Sequence, residues 1–176
     1  MTYQVLQKDE IEIELFSEFH RYQKVNLCYR RDGANWSIRS EPFIDDWSKE
    51  DYQFLIKCLQ NTVSTGGVVY GAFDENGKLK GFVSVESQLF GKNKEYLDLT
   101  SIHVSQELRG QGIGKKLFRL AADWARESGA KKLYISSHSA LETQKFYRNL
   151  GCVDAEEICR KHAEQEPFDC QLEYVL

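Results

Sequence analysis

Proline is nearly missing from this chain of 176 residues: only Pro42 and Pro167 occur. No Gly/Ser-rich stretch separates one segment from another, and there is no internal repeat or low-complexity tract, so a single domain over residues 1–176 is expected. No apolar run approaches the roughly 18 residues of a membrane span. The opening Met1–Leu6 leads into charged Gln7–Glu10 without a secretory apolar region, which predicts a cytoplasmic protein with no membrane partner. The five cysteines (Cys28, Cys58, Cys152, Cys159, Cys170) are odd in number and contain no CxxC. That pattern indicates neither a disulfide framework nor a zinc site, so reduced thiols and no metal are expected. Neither sign of charge dominates: 27 acidic against 23 basic residues leave −4. This argues against a nucleic-acid partner and mildly favours a cationic one.

What is present alternates between two periods. Tyr3–Leu6 reads as a short strand, and Ile11, Leu15, Phe19 and Tyr22 recur at helical spacing, predicting a helix to about Val25. Asn26–Asp46 has no clear period but carries Tyr29, Trp36 and Phe43, followed by Trp47. Ser48 reads as the N-cap of a second helix whose apolar face is Phe54, Leu55, Cys58 and Leu59. Val68–Asp74 and Leu79–Glu86 flank an Asn-Gly turn and predict a hairpin. Tyr96–Val104 is a third central strand, and Leu117, Leu120, Ala121, Trp124 and Ala125 mark a helix stopping near Gly129. Lys132–Ser137 is a strand; Ser139-Ala140-Leu141-Glu142 reads as a capping box for a helix that Gly151 ends. Strands around Glu157–Arg160 and Asp169–Leu176 complete an α/β architecture with a mixed, mostly antiparallel sheet covered by helices.

The segment Val104–Leu117 carries most of the functional information, because it runs from a strand through glycines into an amphipathic helix. Glycines permit positive φ and close approach of a ligand to backbone. A helix N-terminus offers unpaired N–H groups and partial positive charge to a phosphate. Two nucleotide motifs fail on spacing. A dinucleotide GxGxxG from Gly110 needs glycine where Lys115 stands, and a P-loop needs glycine at Arg109 and Ser or Thr at Lys116.

The spacing that fits is Arg109-x-x-Gly112-x-Gly114, with Ile102-His103-Val104 before it and Phe146-Tyr147-Arg148-Asn149-Leu150-Gly151-Cys152 after it. In these residues the sequence resembles the GCN5-related N-acetyltransferases. The resemblance implies acetyl transfer from acetyl-CoA to a primary amine of a small molecule by direct attack in a ternary complex. It implies cofactor binding by Ile102, His103, Val104, Arg109, Gly110, Gln111, Gly112, Ile113, Gly114 and Lys115. Two positions depart from the family pattern: Ala140 stands where an asparagine is common, with Ser139 or Thr143 as substitutes, and Cys152 stands for phenylalanine.

The implied chemistry sets three demands. An amine of pKa about 10.4 must lose a proton before attack. The thioester oxygen needs a positioned donor near Ile102 or His103. The departing thiolate benefits from an acid. The resemblance makes Asp98, eleven residues before Arg109 where several family members carry a glutamate, the candidate base, with Glu86 as fallback and Glu142 assigned to the helix cap. Strict alternation places His103 on the opposite face from Asp98, which suggests a structural role for it. Tyr147, which matches the tyrosine of the family's helix, is by the same resemblance the candidate acid. Trp36, Asp45, Asp46 and Trp47 combine aromatic walls with carboxylates and are the candidate amine site, although Asp45 and Asp46 also suit the start of the helix at Ser48. Arg30 and Arg31 would instead suit a carboxylate on the acceptor. A protein N-terminus or lysine as acceptor, or a CoA-binding sensor without turnover, are the competing readings. A monomer or homodimer is expected.

Overall fold

The structure, a computed structural model, describes residues 1–33 and 35–176. Its strands are β1 (Thr2–Val5), β2 (Tyr22–Asp32), β3 (Asn35–Asp46), β4 (Val68–Phe73), β5 (Leu79–Val85), β6 (Tyr96–Val104), β7 (Lys132–Ser137), β8 (Val153–Asp154) and β9 (Cys170–Val175). The helices are α1 (Lys49–Ser64), α2 (Ile113–Glu127), α3 (Leu141–Leu150) and α4 (Arg160–Gln165). Seven strands form one sheet in the order β1-β4-β5-β6-β7-β9-β8, and β2 and β3 form a separate hairpin. Among the described residues only β6 and β7 pair in parallel; the other neighbours are antiparallel.

Two cores lie on the two faces of the sheet. On one, α2 contributes Ile113, Leu117, Phe118, Ala121, Ala122 and Ala125, a stripe at helical spacing, against Val83, Val85, Leu97 and Leu99. Gly81 lets the helix come close, since a Cβ there would meet Leu117 Cδ1 at 3.0 Å and Ile113 Cγ2 at 3.2 Å. On the other face α1 packs Leu55, Ile56 and Leu59 onto Val69 and Phe82, with Leu6, Ile11, Phe16 and Phe19 from the N-terminal segment. α1 starts where Ser48 and Asp51 cap one another: the Asp51 N–H donates to Ser48 Oγ at 3.2 Å and the Ser48 N–H to Asp51 Oδ2 at 2.8 Å.

Four sequence expectations are corrected. Ile11–Val25 is not a helix: two 3₁₀ turns, Lys8–Glu10 and Ile13–Phe16, deliver Ile11, Phe16 and Phe19 to the core before β2 begins. Asn26–Asp46 is not irregular but forms most of the β2–β3 hairpin, paired from Tyr22↔Asp46 to Asp32↔Asn35. A register shift between Val25 and Leu27 breaks its alternation, and an exposed hairpin buries too few side chains to imprint a period of two. The strand expected at Glu157–Arg160 is absent; the chain bends there and enters α4. The capping box at Ser139 does not form. Ala140 takes the N-cap position without a side-chain bond, and Arg30 Nη1 donates to Ser139 Oγ at 2.6 Å. That bond, with Tyr29 N–H to Ser139 O at 2.8 Å, fastens the hairpin to the start of α3.

Candidate active site

The site begins with a fork in the sheet. β6 and β7 pair only at Tyr96↔Lys132, Leu97↔Leu133 and Asp98↔Tyr134, and then they part. The cleft that opens beyond this last rung has a volume of about 730 Å³. Leu99–Val104 of β6 and Ser136–His138 line it on two sides, α3 adds Thr143, Phe146 and Tyr147, and the glycine-rich turn closes one end.

At that turn, Gly110 and Gly112 have φ of +78° and +84°, and nothing stands within 4 Å of where a Cβ would be. The positive φ therefore serves an open approach rather than protein packing. Gly112 is the N-cap of α2, whose first turn holds no acidic residue, and the N–H groups of that turn have no intrahelical acceptor. Arg109 Nε donates to Val104 O at 3.0 Å, joining the turn to the end of β6. Beneath it Lys80 Nζ reaches Glu107 Oε1 at 2.9 Å and Ser105 Oγ donates to Glu107 Oε2 at 2.7 Å. These bonds hold the Glu107 carboxyl at about 2 despite its partial burial. Gly114 faces α3, where a Cβ would lie 3.2 Å from Phe146 Cε2.

Of the residues expected to hold a cofactor, Ile102, His103, Val104, Arg109, Gly110, Gly112, Ile113, Gly114 and Lys115 all line this cleft, and Gln111 does not. Tyr147 lines it too. It packs against Phe118 and Phe146, and burial pushes its phenol well above the usual range, so it keeps its proton at neutral pH. Its hydroxyl has no hydrogen-bond partner among the described residues. Thr143 lines the cleft whereas Ser139 is engaged by Arg30.

Asp98 stands on the last paired rung, just outside the lining, and its Oδ2 lies 2.6 Å from His162 Nε2 on α4. Alternation fails between it and His103. The pairs Val85↔Leu99 and Ser84↔Ser101 leave Thr100 as an extra residue in β6. Leu97 and Leu99 before the bulge, and Ile102 and Val104 after it, all meet the α2 core. Asp98 and His103 therefore share the other face, correcting the sequence expectation. His103 packs on Trp47 and Phe82 at 4.7 and 5.4 Å. Burial first, then Arg21 and Arg109, hold its imidazole well below 6.5 and uncharged. The fallback Glu86 accepts from Thr62 Oγ1 at 2.5 Å.

The four residues expected to receive the amine do not converge. Asp45 Oδ2 is bonded to Arg21 Nη2 at 2.5 Å. Asp46 and Trp47 line a separate hollow with Phe16, His20 and Tyr52. Trp36 lies at the far end of β3, roughly 30 Å along an extended strand from Asp45, where its Nε1 donates to Asp154 at 3.3 Å. Arg30 pairs with Glu41 and Arg31 bonds Gly33 O. What sequence reasoning missed is on the Asp98 side: His162, Tyr134, Ser136 and Asp169. Ser136 Oγ lies 3.2 Å from Asp169 Oδ2. Burial raises the Asp169 carboxyl to about 6. The apolar period carries no mark of such a cluster, because its members come from four segments.

These features join a helix N-terminus and a protonated phenol in one cleft, and comparison with known proteins identifies the family. The chain belongs to the Acetyltransferase (GNAT) family, whose profile matches residues 33–152, and it is an N-acetyltransferase that uses acetyl-CoA. A Bacillus subtilis (strain 168) protein assigned as a [ribosomal protein bS18]-alanine N-acetyltransferase is 26% identical over 120 residues, 66% of this chain and 70% of its own. Streptothricin acetyltransferase of Streptomyces lavendulae is 39% identical over 64 residues, 36% of this chain and 32% of its own. The crystal structure of a protein assigned as streptothricin acetyltransferase from Bacillus anthracis str. Ames, in complex with acetyl-CoA, has a TM-score of 0.69. It is 16% identical, and the match covers 100% of this chain and 98% of that one. No helix among the described residues is long and apolar enough to cross a membrane.

Proposed function

We propose that this chain, acting as one cytoplasmic domain, acetylates a primary amine of a small cationic molecule. The fork between β6 and β7, opening onto a glycine N-cap on one side and Tyr147 within, is the observation that carries the reading. The likeness to streptothricin acetyltransferases supports a small-molecule acceptor, and the net charge of −4 suits a cationic one. The N–H groups from Gly112 to Lys115 and the side chain of Lys115 would hold the pyrophosphate of acetyl-CoA. The β6 backbone of Ile102–Val104, unpaired toward β7, would run alongside the pantetheine arm. Acetyl-CoA supplies an activated acetyl group as its thioester. Tyr147 would donate its proton to the departing sulfur, and Asp98 would serve removal of the ammonium proton from the other face of the sheet.

Thiol release from acetyl-CoA across a panel of streptothricin, aminoglycosides, polyamines and peptides with free N-termini tests this. Turnover confined to the small amines is the expected result. Turnover with an alanine N-terminus alone would favour a protein acceptor, as the name of the Bacillus subtilis relative suggests. Cofactor binding without turnover on any amine would leave a CoA-binding module.

A further inference from the structure

On the face of the sheet turned away from α2, the last rung before the fork carries more than a carboxylate. Asp98 Oδ2 meets His162 Nε2 at 2.6 Å, and the side chains are only 14% and 24% exposed. The imidazole lies flat on the Tyr134 ring, with centroids 5.8 Å apart and planes 24° from parallel. Tyr134 is itself fixed: its hydroxyl donates to Gln171 Oε1 at 2.6 Å and accepts from the Cys159 N–H at 3.0 Å. An ionised carboxylate only accepts, so in the neutral ring the proton sits on Nε2 and Nδ1 keeps its lone pair. Nδ1 has no hydrogen-bond partner among the described residues. This is the arrangement of a base oriented by a carboxylate.

We infer that His162, held by Asp98, is the group that takes the proton from the acceptor ammonium, with Asp98 as its positioning residue. The inference rests on the acetyl-transfer reading above and divides the role given there to Asp98. The step balances simply. The ammonium gives one proton to Nδ1, its nitrogen forms the N–C bond as the C–S bond breaks, and the nitrogen's second proton makes up for the one Tyr147 gives the leaving sulfur. The imidazolium then returns its proton to water. Base and acid stand on opposite faces of the fork, since Tyr147 belongs to the core beneath α2 while Asp98 alternates away from Leu97 and Leu99.

The groups facing His162 are Asp98 from β6, Tyr134 from β7, Asp169 from the turn before β9 and Lys161 on its own helix. The bond to Asp98 is the largest influence and, with Asp169, raises the imidazole above 6.5 against its burial and Lys161. A base works when deprotonated, so kcat/KM should rise with pH through a midpoint above 6.5, apart from the amine's own titration at about 10.4.

The deciding variant is His162→Gln, whose amide can still donate to Asp98 and tie α4 to the sheet but cannot take up a proton. With the most rapidly acetylated amine of the panel, we expect kcat to fall about 10²-fold or more, the near-neutral limb to vanish, and acetyl-CoA affinity by calorimetry to stay unchanged. Long-range ¹H–¹⁵N spectra of the free protein should show the Nε2–H tautomer. Asp98→Asn should lower the His162 midpoint in the spectra and the kinetic limb together. Wild-type kcat and pH profile in His162→Gln, or an Nδ1–H tautomer, would overturn the inference and leave the acetyl-transfer reading standing. Absence of turnover in the wild type would overturn both.

Discussion

On one side of the cleft a single run of chain, Ile102–Lys115, supplies strand edge, turn and helix N-terminus. The other side, of which Ser136 lines the cleft and the rest stands outside its lining, draws on β6, β7, α4 and the turn before β9 for Asp98, Tyr134, Ser136, His162 and Asp169. The first side offers backbone N–H groups, whose direction is set by φ values that only glycine adopts easily. The second offers side chains, whose positions are set by the packing of segments far apart in sequence. Backbone recognition suits a constant partner such as a phosphate, while side-chain recognition can change with each acceptor without disturbing the turn.

The sharpest way to break the first side is Gly112→Asp. At φ +84° the left-handed backbone costs an L-residue about 1–2 kcal/mol. The carboxylate also brings negative charge to the place proposed for the pyrophosphate. Acetyl-CoA affinity measured by calorimetry should fall about 100-fold or more, with the circular dichroism of the wild type. Unchanged affinity would remove this turn from the binding site.

Tyr147→Phe tests the point where the two sides meet. The ring still packs on Phe118 and Phe146, but the donor is gone. A fall in kcat of about 10²-fold with cofactor affinity unchanged is expected. Full activity would mean that water protonates the thiolate.

The same contrast explains what could be read in advance. Arg109-x-x-Gly112-x-Gly114 is a local pattern, and nine of the ten residues it marked line the cleft. Ser48 and Gly151 were legible as helix punctuation for the same reason. The hairpin of β2 and β3 was not, because Val25 is buried at one parity and Cys28 at the other across the register shift. The Thr100 bulge defeated alternation in the same way and hid the shared face of Asp98 and His103. Asp45, which composition alone suggested for an amine, has its charge met by Arg21. His162 lies on a six-residue helix with no buried residue to announce its face.

Asp169 gives a test of the side-chain half through stability. Its folded pKa, about 6, lies above the usual carboxylate value because burial disfavours the charge. The folded state thus binds the proton more tightly than the unfolded chain. This carboxyl stabilises the fold below pH about 4, and that contribution is lost as pH rises to about 6. Asp169→Asn keeps an acceptor for Ser136 without the buried charge. Its melting temperature should exceed that of the wild type at pH 8, and the advantage should vanish toward pH 4. A pH-independent difference would mean that Asp169 is solvated.

The smallest effect expected separates packing from binding within the signature itself. Gly114 sits in the first turn of α2, with a φ any residue can adopt, so alanine there gains up to about 1 kcal/mol in helix propensity. Against this, the new methyl would stand 3.2 and 3.3 Å from Cε2 and Cζ of Phe146. That ring meets Tyr147 at 5.1 Å and can give way only into the cleft it lines, where the cofactor is proposed to sit. Overpacking of this kind costs about 1–3 kcal/mol, so the clash should win by about 1 kcal/mol. A melting temperature about 2–4 °C lower is expected for a chain of this size. Acetyl-CoA affinity should fall far less than in Gly112→Asp, because the Gly114 N–H remains where it was. Equal losses of affinity in the two variants would mean that the spacing between α2 and α3, rather than the open backbone at Gly112, governs the cofactor side.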